Sequence, residues 1–244
     1  MQSSMITISD LSKRFGRLDV LKSIQLDFSA GKSYAMIGPN GSGKTTLIKC
    51  ILGMVIADNG EIRVDGKSIA NDWTYRNRIG YMPQIGRYPD QMKIGQIFDM
   101  IRDLRQDQAQ IDEDLIKEFK LDRMKDKRMR TLSGGTRQKV SASLAFLFDP
   151  PILILDEPTA GLDPIAVEAL KEKILSEKSK DKTFLITSHI MSDLDELSSH
   201  LVYLEEGKML FNDTIDSLKE ETGESKLGRA VATIMKRNLK EMEA

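Results

Sequence analysis

Apolar and polar residues alternate over Met5–Leu11 and again over Val20–Phe28, with Gly16 between the two stretches. A two-residue period places successive side chains on opposite faces, so the pattern predicts an antiparallel pair with one wet face. Tyr34–Ile37 is a short apolar strand running straight into glycine-rich sequence, and the spacing of Leu47, Ile48, Ile51 and Leu52 predicts a helix just after it. Glu61–Asp65 alternates again before Gly66, and Arg78–Met82 predicts a further strand. From about Pro89 to Phe148 the period becomes helical, with Ile94, Ile97, Phe98, Ile101 and Leu104 on one face and Ile111, Leu115, Ile116 and Phe119 on another. We read this as an inserted helical lobe. The continuous apolar runs Ile152–Leu155 and Thr183–Thr187 have the character of strands covered on both faces of a parallel sheet. Leu201–Leu204, the turn Glu205-Glu206-Gly207 and Lys208–Phe211 predict a closing hairpin. Beyond Ser225, Leu227, Val231, Ile234, Met235, Leu239 and Met242 share a helical face, while Lys226, Arg229, Lys236, Arg237 and Lys240 fall elsewhere. Such an amphipathic helix is expected to dock on its own domain, with a partner or lipid contact as the alternative.

The bulk numbers narrow the class without naming a chemistry. At 244 residues, 40% hydrophobic and 30% charged, the chain has the composition of an ordinary folded protein, large enough for a real core. A net charge of -1 gives no overall drive toward nucleic acid or anionic lipid. The single cysteine, Cys50, makes no internal disulfide and falls in an apolar helical run, so a buried thiol and a reducing compartment are expected. Met1–Asp10 lacks the basic flank and apolar core of a secretory signal, and no stretch approaches the roughly 18 apolar residues of a spanning helix. Any membrane contact is therefore expected through a partner.

Gly38-Pro39-Asn40-Gly41-Ser42-Gly43-Lys44-Thr45 fits the spacing of a P-loop, and the strand before it and helix after it supply the right context. Glycines let successive N–H groups curl inward, and the helix N-terminus adds a favourable dipole for phosphate oxygens. Lys44 is expected to reach the β- and γ-phosphates and Thr45 to ligate magnesium, with Thr46 completing the cradle. By itself the loop implies only a nucleoside triphosphate. A chance glycine-rich turn is the competing reading.

The strand Ile152–Leu155 ends in Asp156-Glu157, and adjacent strand residues point to opposite faces. We therefore expect Asp156 to face magnesium and Glu157 to face an attacking water; an acidic strand end that merely caps the next loop is the alternative. Leu132-Ser133-Gly134-Gly135-Thr136 precedes a helical run carrying Val140, Leu144, Leu147 and Phe148, and forms a second glycine-bearing helix N-terminus and hence a second anion site.

These three motifs, in this order, resemble the Walker A, signature and Walker B elements of the ATP-binding-cassette (ABC) family, and the resemblance spans roughly residues 5–215. It implies an α/β fold: a P-loop NTPase core with a mixed sheet and flanking helices, an N-terminal antiparallel β subdomain and an inserted α-helical subdomain. It implies one ABC ATPase domain over 1–244, with core and β subdomain at 1–88 and 149–215, helical subdomain at 89–148 and a C-terminal helical extension at 216–244. It further implies ATP and Mg2+ as ligands and ATP hydrolysis as the reaction. In this family Ser133, Gly134 and Gly135 would complete the ATP site of a second cassette, so a head-to-tail homodimer is expected.

Smaller motifs carry over residue by residue. Phe15 stands where the family places an aromatic that stacks on adenine, a core phenylalanine being the alternative. Gln84 in Tyr81-Met82-Pro83-Gln84 resembles the glutamine that senses magnesium and the attacking water. Ala160-Gly161-Leu162-Asp163 resembles the loop whose aspartate couples the two sites, and His189 resembles the histidine that contacts the γ-phosphate. His200 has no matching motif. One position departs from the family: Thr136 stands where glutamine is usual, which puts the tuning of dimer closure in doubt.

The resemblance implies a transporter ATPase bound to a separate transmembrane permease, peripheral on the cytoplasmic face of the membrane, with no nucleic-acid partner. The Ala160–Pro164 run and short C-terminal extension look like cassettes of six-helix exporters. Leu132–Val140 and Ser225–Arg237 also look similar to cassettes that assist copper-site maturation of nitrous-oxide reductase. A soluble ABC ATPase of protein or metal-cluster assembly is the alternative. DNA-repair members carry a long insertion for which the Lys44–Asp156 stretch has no room, and translation-type members fuse two cassettes.

Overall fold

The computed structural model describes residues 4–105 and 110–242, with the side chains of residues 238–242 outside the description. In chain order the elements are β1 (Ser4–Phe15), β2 (Leu18–Ser29), β3 (Ser33–Ile37), α1 (Lys44–Ile51), β4 (Asn59–Val64), β5 (Lys67–Ser68), β6 (Ile79–Met82), α2 (Ile94–Leu104), α3 (Asp114–Glu118), α4 (Gly134–Phe146), β7 (Ile152–Asp156), α5 (Pro164–Lys178), β8 (Thr183–Thr187), α6 (Met191–Leu197), β9 (His200–Glu205), β10 (Lys208–Thr214), α7 (Ile215–Thr222) and α8 (Leu227–Met242). The chain divides into two compact units, residues 1–75 with 183–244, and residues 76–182.

In the first unit β1 and β2 form the expected antiparallel hairpin, closed at Phe15 opposite Leu18, with Gly16 in the left-handed conformation. Their alternation buries Ile6, Ile8 and Leu11 on one strand and Ile24, Leu26 and Phe28 on the other. Both strands run past the strictly alternating stretches because hairpin pairing carries the ladder to the turn. β4 pairs antiparallel with the other edge of β1. In a second sheet β3 lies between β8 and β9, parallel to both, and β10 folds back antiparallel on β9. All five residues of β3 and of β8 are buried, as continuous apolar runs require. Cys50 is buried on α1, and burial pushes its thiol up to about 11, so it sits there as a small apolar group.

The tail settles its own alternative: Leu227, Ala230 and Val231 of α8 are buried, and Val231, Ile234 and Met235 face Ile37, Leu201 and Tyr203 of the same unit. The expected contributions of Leu239, Lys240 and Met242 lie outside the described side chains. Among the described residues no helix is long and apolar enough to cross a membrane.

The second unit pairs β6 with β7 in parallel, Ile79 opposite Ile152 through Met82 opposite Leu155. Gly80 lets α4 approach closely, since a Cβ there would lie 2.1 Å from the Ala145 carbonyl oxygen. Ile94, Ile97 and Phe98 of α2 are buried, but the expected stripe fades along the helix and Leu104 is 74% exposed. The expected face at Ile111 also shortens: α3 covers only Asp114–Glu118, and Ile111 is exposed before it. The polar reason is visible in Asp112, whose carboxylate turns to Lys173 at 2.5 Å.

Lys173 belongs to a buried ion network. It also meets Glu177 at 2.9 Å, Lys180 meets Glu177 at 2.9 Å, and Lys182 bridges Glu177 and Asp149. Burial by itself would raise the Glu177 pKa, but hydrogen bonds from Lys182, Lys180 and Lys173 outweigh it and hold the carboxyl at about 2. Asp112, Asp149 and Glu177 bring carboxylate oxygens within 4.8 Å of one another. With three ammonium groups already among them, the cluster is a structural ion network rather than a cation site.

Candidate nucleotide-binding site

In the first unit β3 and β8 run parallel with Met36 opposite Thr187, so Gly38 and His189 both emerge two residues later at the carboxyl edge. That edge is where α/β sheets bind ligands. The loop from Gly38 to Gly43 turns there with Gly38, Gly41 and Gly43 all at positive φ. Two of these glycines are also enforced by space. A Cβ at Gly38 would lie 2.0 Å from the Leu204 carbonyl oxygen, and one at Gly43 would lie 2.8 Å from that of Val20. The turn of the β9–β10 hairpin locks the loop from outside: Gly207 N–H donates to the Ser42 carbonyl at 3.1 Å, and its own carbonyl accepts from Lys22 N–H at 2.8 Å.

Ser42 is buried, whereas Pro39, Asn40, Gly41 and Thr45 are exposed and Thr46 is half-buried. α1 begins at Lys44 with no side-chain cap, so its first N–H groups are presented to the loop interior. Lys44 folds back over the loop and donates to the carbonyls of Gly38 at 2.6 Å and Pro39 at 3.1 Å. Phosphate oxygens would make stronger, charge-assisted partners for this ammonium than those carbonyls do.

Phe15 closes β1 with its ring 49% exposed and the Lys13 ammonium 5.3 Å from the ring centroid. It is not a core residue: it is half exposed, with the Lys13 ammonium over the ring. His189 is exposed directly after buried Ser188. His200 is structural, 2.9 Å from the Ser199 hydroxyl and tilted against Tyr34.

In the second unit the parallel register sets Met82 opposite Leu155, so Gln84 and the pair Asp156-Glu157 leave at one edge. Gln84 is exposed, and Asp156 and Glu157 are each 8% exposed. The expected strand alternation reaches only as far as Asp156, where β7 ends. At Glu157 the backbone turns left-handed, φ 52, so its carboxylate is redirected by a kink rather than by the pleat. For glutamate such a conformation costs on the order of 1–3 kcal/mol and persists only where the surroundings hold it. Sequence reasoning missed Tyr81 as a neighbour of this edge: burial and the negative charge of Asp156 push its phenol up to about 12, which keeps it a neutral hydroxyl.

α4 is capped by Ser133, whose hydroxyl accepts from Thr136 N–H at 3.2 Å and lies 2.9 Å from the Thr136 hydroxyl. Ser133 and Gly134 are exposed. A Cβ at Gly134 would meet nothing within 4 Å, while one at Gly135 would lie 2.6 Å from the Gly161 carbonyl oxygen. Asp163 caps α5 by accepting from Ala166 N–H at 3.0 Å, and pairs with Lys139 of α4 at 2.6 Å. The Lys139 hydrogen bond holds the Asp163 carboxyl below its usual range. Loop 160–163 and the start of α4 are thus stitched together on one exposed face.

Of the residues expected from the sequence to bind magnesium, Thr45 offers a hydroxyl, Gln84 an amide oxygen and Asp156 a carboxylate. All are hard oxygen donors of the kind magnesium takes.

A family model described as "ABC transporter" matches residues 21–160. YhaQ of Bacillus subtilis, an uncharacterised ABC transporter ATP-binding protein, is 32% identical over 223 residues, covering 90% of this chain and 74% of its own length. The lantibiotic transport ATP-binding protein SrtF of Streptococcus pyogenes is 31% identical over 218 residues, 87% of this chain and 92% of its own. A solved ATP-binding subunit of an ABC transporter superposes with a TM-score of 0.87 at 27% identity, over 95% of this chain and all of that one.

Proposed function

Because the chain belongs to the ABC transporter family as one of its ATP-hydrolysing cassettes, we propose that it drives an exporter whose membrane-spanning part is a separate polypeptide. The observation that carries the reading is the pair of helix N-termini: one walled in at Gly38 and Gly43, the other open at Ser133 and Gly134. An open half-site needs a second surface, and a second copy offering its own P-loop supplies one. In this reading ATP lies between two copies, with Phe15 on adenine and residues 38–46 around the phosphates. Ser133, Gly134 and Gly135 of the second copy donate from the far side.

Lys44 and His189 place positive charge and hydrogen-bond donors on the transferring phosphoryl group. Thr45, Asp156 and Gln84 would hold Mg2+, which when bound neutralises charge on the β- and γ-phosphate oxygens. Glu157 accepts the proton of the attacking water, and Asp163 links one closed site to the other. Closure is relayed to the permease by the helical lobe, for which we keep 89–148 within a single domain. The cassette would then lie on the cytoplasmic face of the membrane.

Export as the direction is supported by the name of a further relative, the Nod factor export ATP-binding protein I of Burkholderia lata, 33% identical over 222 residues, 86% of this chain and 71% of its own. The finer likeness to copper-site maturation gains nothing from these relatives, and a soluble assembly ATPase is set apart by co-purification with a polytopic membrane protein. Glu157→Gln tests the chemistry: turnover should fall by roughly 10²-fold or more while ATP still closes the dimer. Undiminished turnover would remove Glu157 as the base.

A further inference from the structure

A serine hydroxyl has one proton and two acceptor lone pairs. At the start of α4 one lone pair of Ser133 is taken by Thr136 N–H at 3.2 Å, and the Thr136 hydroxyl lies 2.9 Å from the same oxygen. We propose that Thr136 is a positioning residue that donates its hydroxyl proton to Ser133, fills the second lone pair, and leaves the serine proton aimed out of the helix end at an arriving phosphate. This rests on the reading above, in which Ser133 meets a triphosphate held by a second copy.

The direction of the Thr136–Ser133 bond follows from charge. If Ser133 donated to Thr136, its oxygen would meet the phosphate with lone pairs alone, which is repulsive. With Thr136 as donor, the two hydroxyls and the phosphate oxygen form one polarised chain, each bond strengthening the next. The surroundings agree: Thr136 is half-buried behind the exposed Ser133 and Gly134, so its short side chain reaches the serine and not the rim. A glutamine, the usual residue here in the family the sequence resembles, would reach outward instead. The departure at Thr136 therefore exchanges an outward contact for an ordered serine.

The test uses the 244-residue chain carrying Glu157→Gln, with ATP-driven dimerisation followed by sedimentation. Thr136→Val keeps the shape and removes the hydroxyl. It should weaken the dimer about 25-fold, a hydrogen bond at each of two sites contributing about fivefold. Thr136→Ala should do the same, and Thr136→Ser should return dimerisation to within about twofold of the parent. Nucleotide affinity of the monomer and its melting temperature, which a merely structural role would move, should not change. The decisive measurement is Thr136→Val in a Ser133→Ala background, where it should have no further effect. Unchanged dimerisation by Thr136→Val and Thr136→Ala, while Ser133→Ala weakens it, would overturn the proposal. So would an undiminished Thr136→Val effect once Ser133 is gone. If Ser133→Ala leaves dimerisation intact, the two-copy site itself falls, and the role of Thr136 falls with it.

Discussion

The two glycine-bearing helix starts of this molecule look alike in sequence and are built on opposite plans. At Gly38–Gly43 the backbone is crowded from outside, a Cβ would strike carbonyl oxygens at 2.0 and 2.8 Å, and the helix has no side-chain cap. At the second start the helix caps itself through Ser133, and a Cβ at Gly134 would meet empty space, the crowding being confined to Gly135 on the side of Gly161. In the function proposed above, crowding makes the first a finished cradle for an anion, and openness makes the second half of one. The foundations differ too: the P-loop hangs from backbone hydrogen bonds to the β9–β10 turn, while the second unit is anchored by the charges around Glu177.

That contrast is breakable at three points, in order of expected effect. Glu177→Gln removes the carboxylate shared by Lys173 and Lys182 and should destabilise the chain by about 3–5 kcal/mol, read from denaturant unfolding. Because the folded pKa of Glu177 is depressed to about 2, its contribution is complete above the ordinary glutamate range, near pH 4.5. It is lost as pH falls through about 2, and the variant should lose that pH dependence. A flat comparison of the two proteins between pH 5 and pH 2 would show that the network does not support the unit.

Next, Gly38→Ala forces a Cβ onto the Leu204 carbonyl at positive φ and should lower the affinity of the monomer for ATP by about a hundredfold, measured by calorimetry. Smallest is Gly134→Ala. It should leave monomer stability and ATP affinity within about 0.5 kcal/mol of the parent, because nothing lies near the added methyl. It should weaken only ATP-driven dimerisation, where the second copy's phosphates would meet that methyl. Equal loss of monomer binding in the two glycine variants would erase the distinction between a closed and an open nest.

Legibility followed the range of the interactions. The P-loop was readable because glycine, lysine and threonine spacing is local and its strand and helix are contiguous with it. The carboxylate pair was readable for the same reason, but the kink at Glu157 was not, since nothing in Asp156-Glu157-Pro158 announces a left-handed glutamate. Phe15 could be placed at a hairpin end, yet only the fold showed its ring half exposed rather than packed in the core. Ile111 and Leu104 carried helical spacing and still ended outside the core, because apolar periodicity says which residues could share a face and not where the helix stops.

The sequence by itself determined the order of the motifs, the strands that deliver them and the helices that follow, since each depends on residues a few positions apart. The tertiary structure alone decided which glycines are irreplaceable, how Lys173 finds Asp112 across sixty-one positions, and that α8 covers its own sheet. Those outcomes depend on surfaces that meet only after folding. Periodicity along one chain segment carries no information about the carbonyl or carboxylate another segment will bring against it.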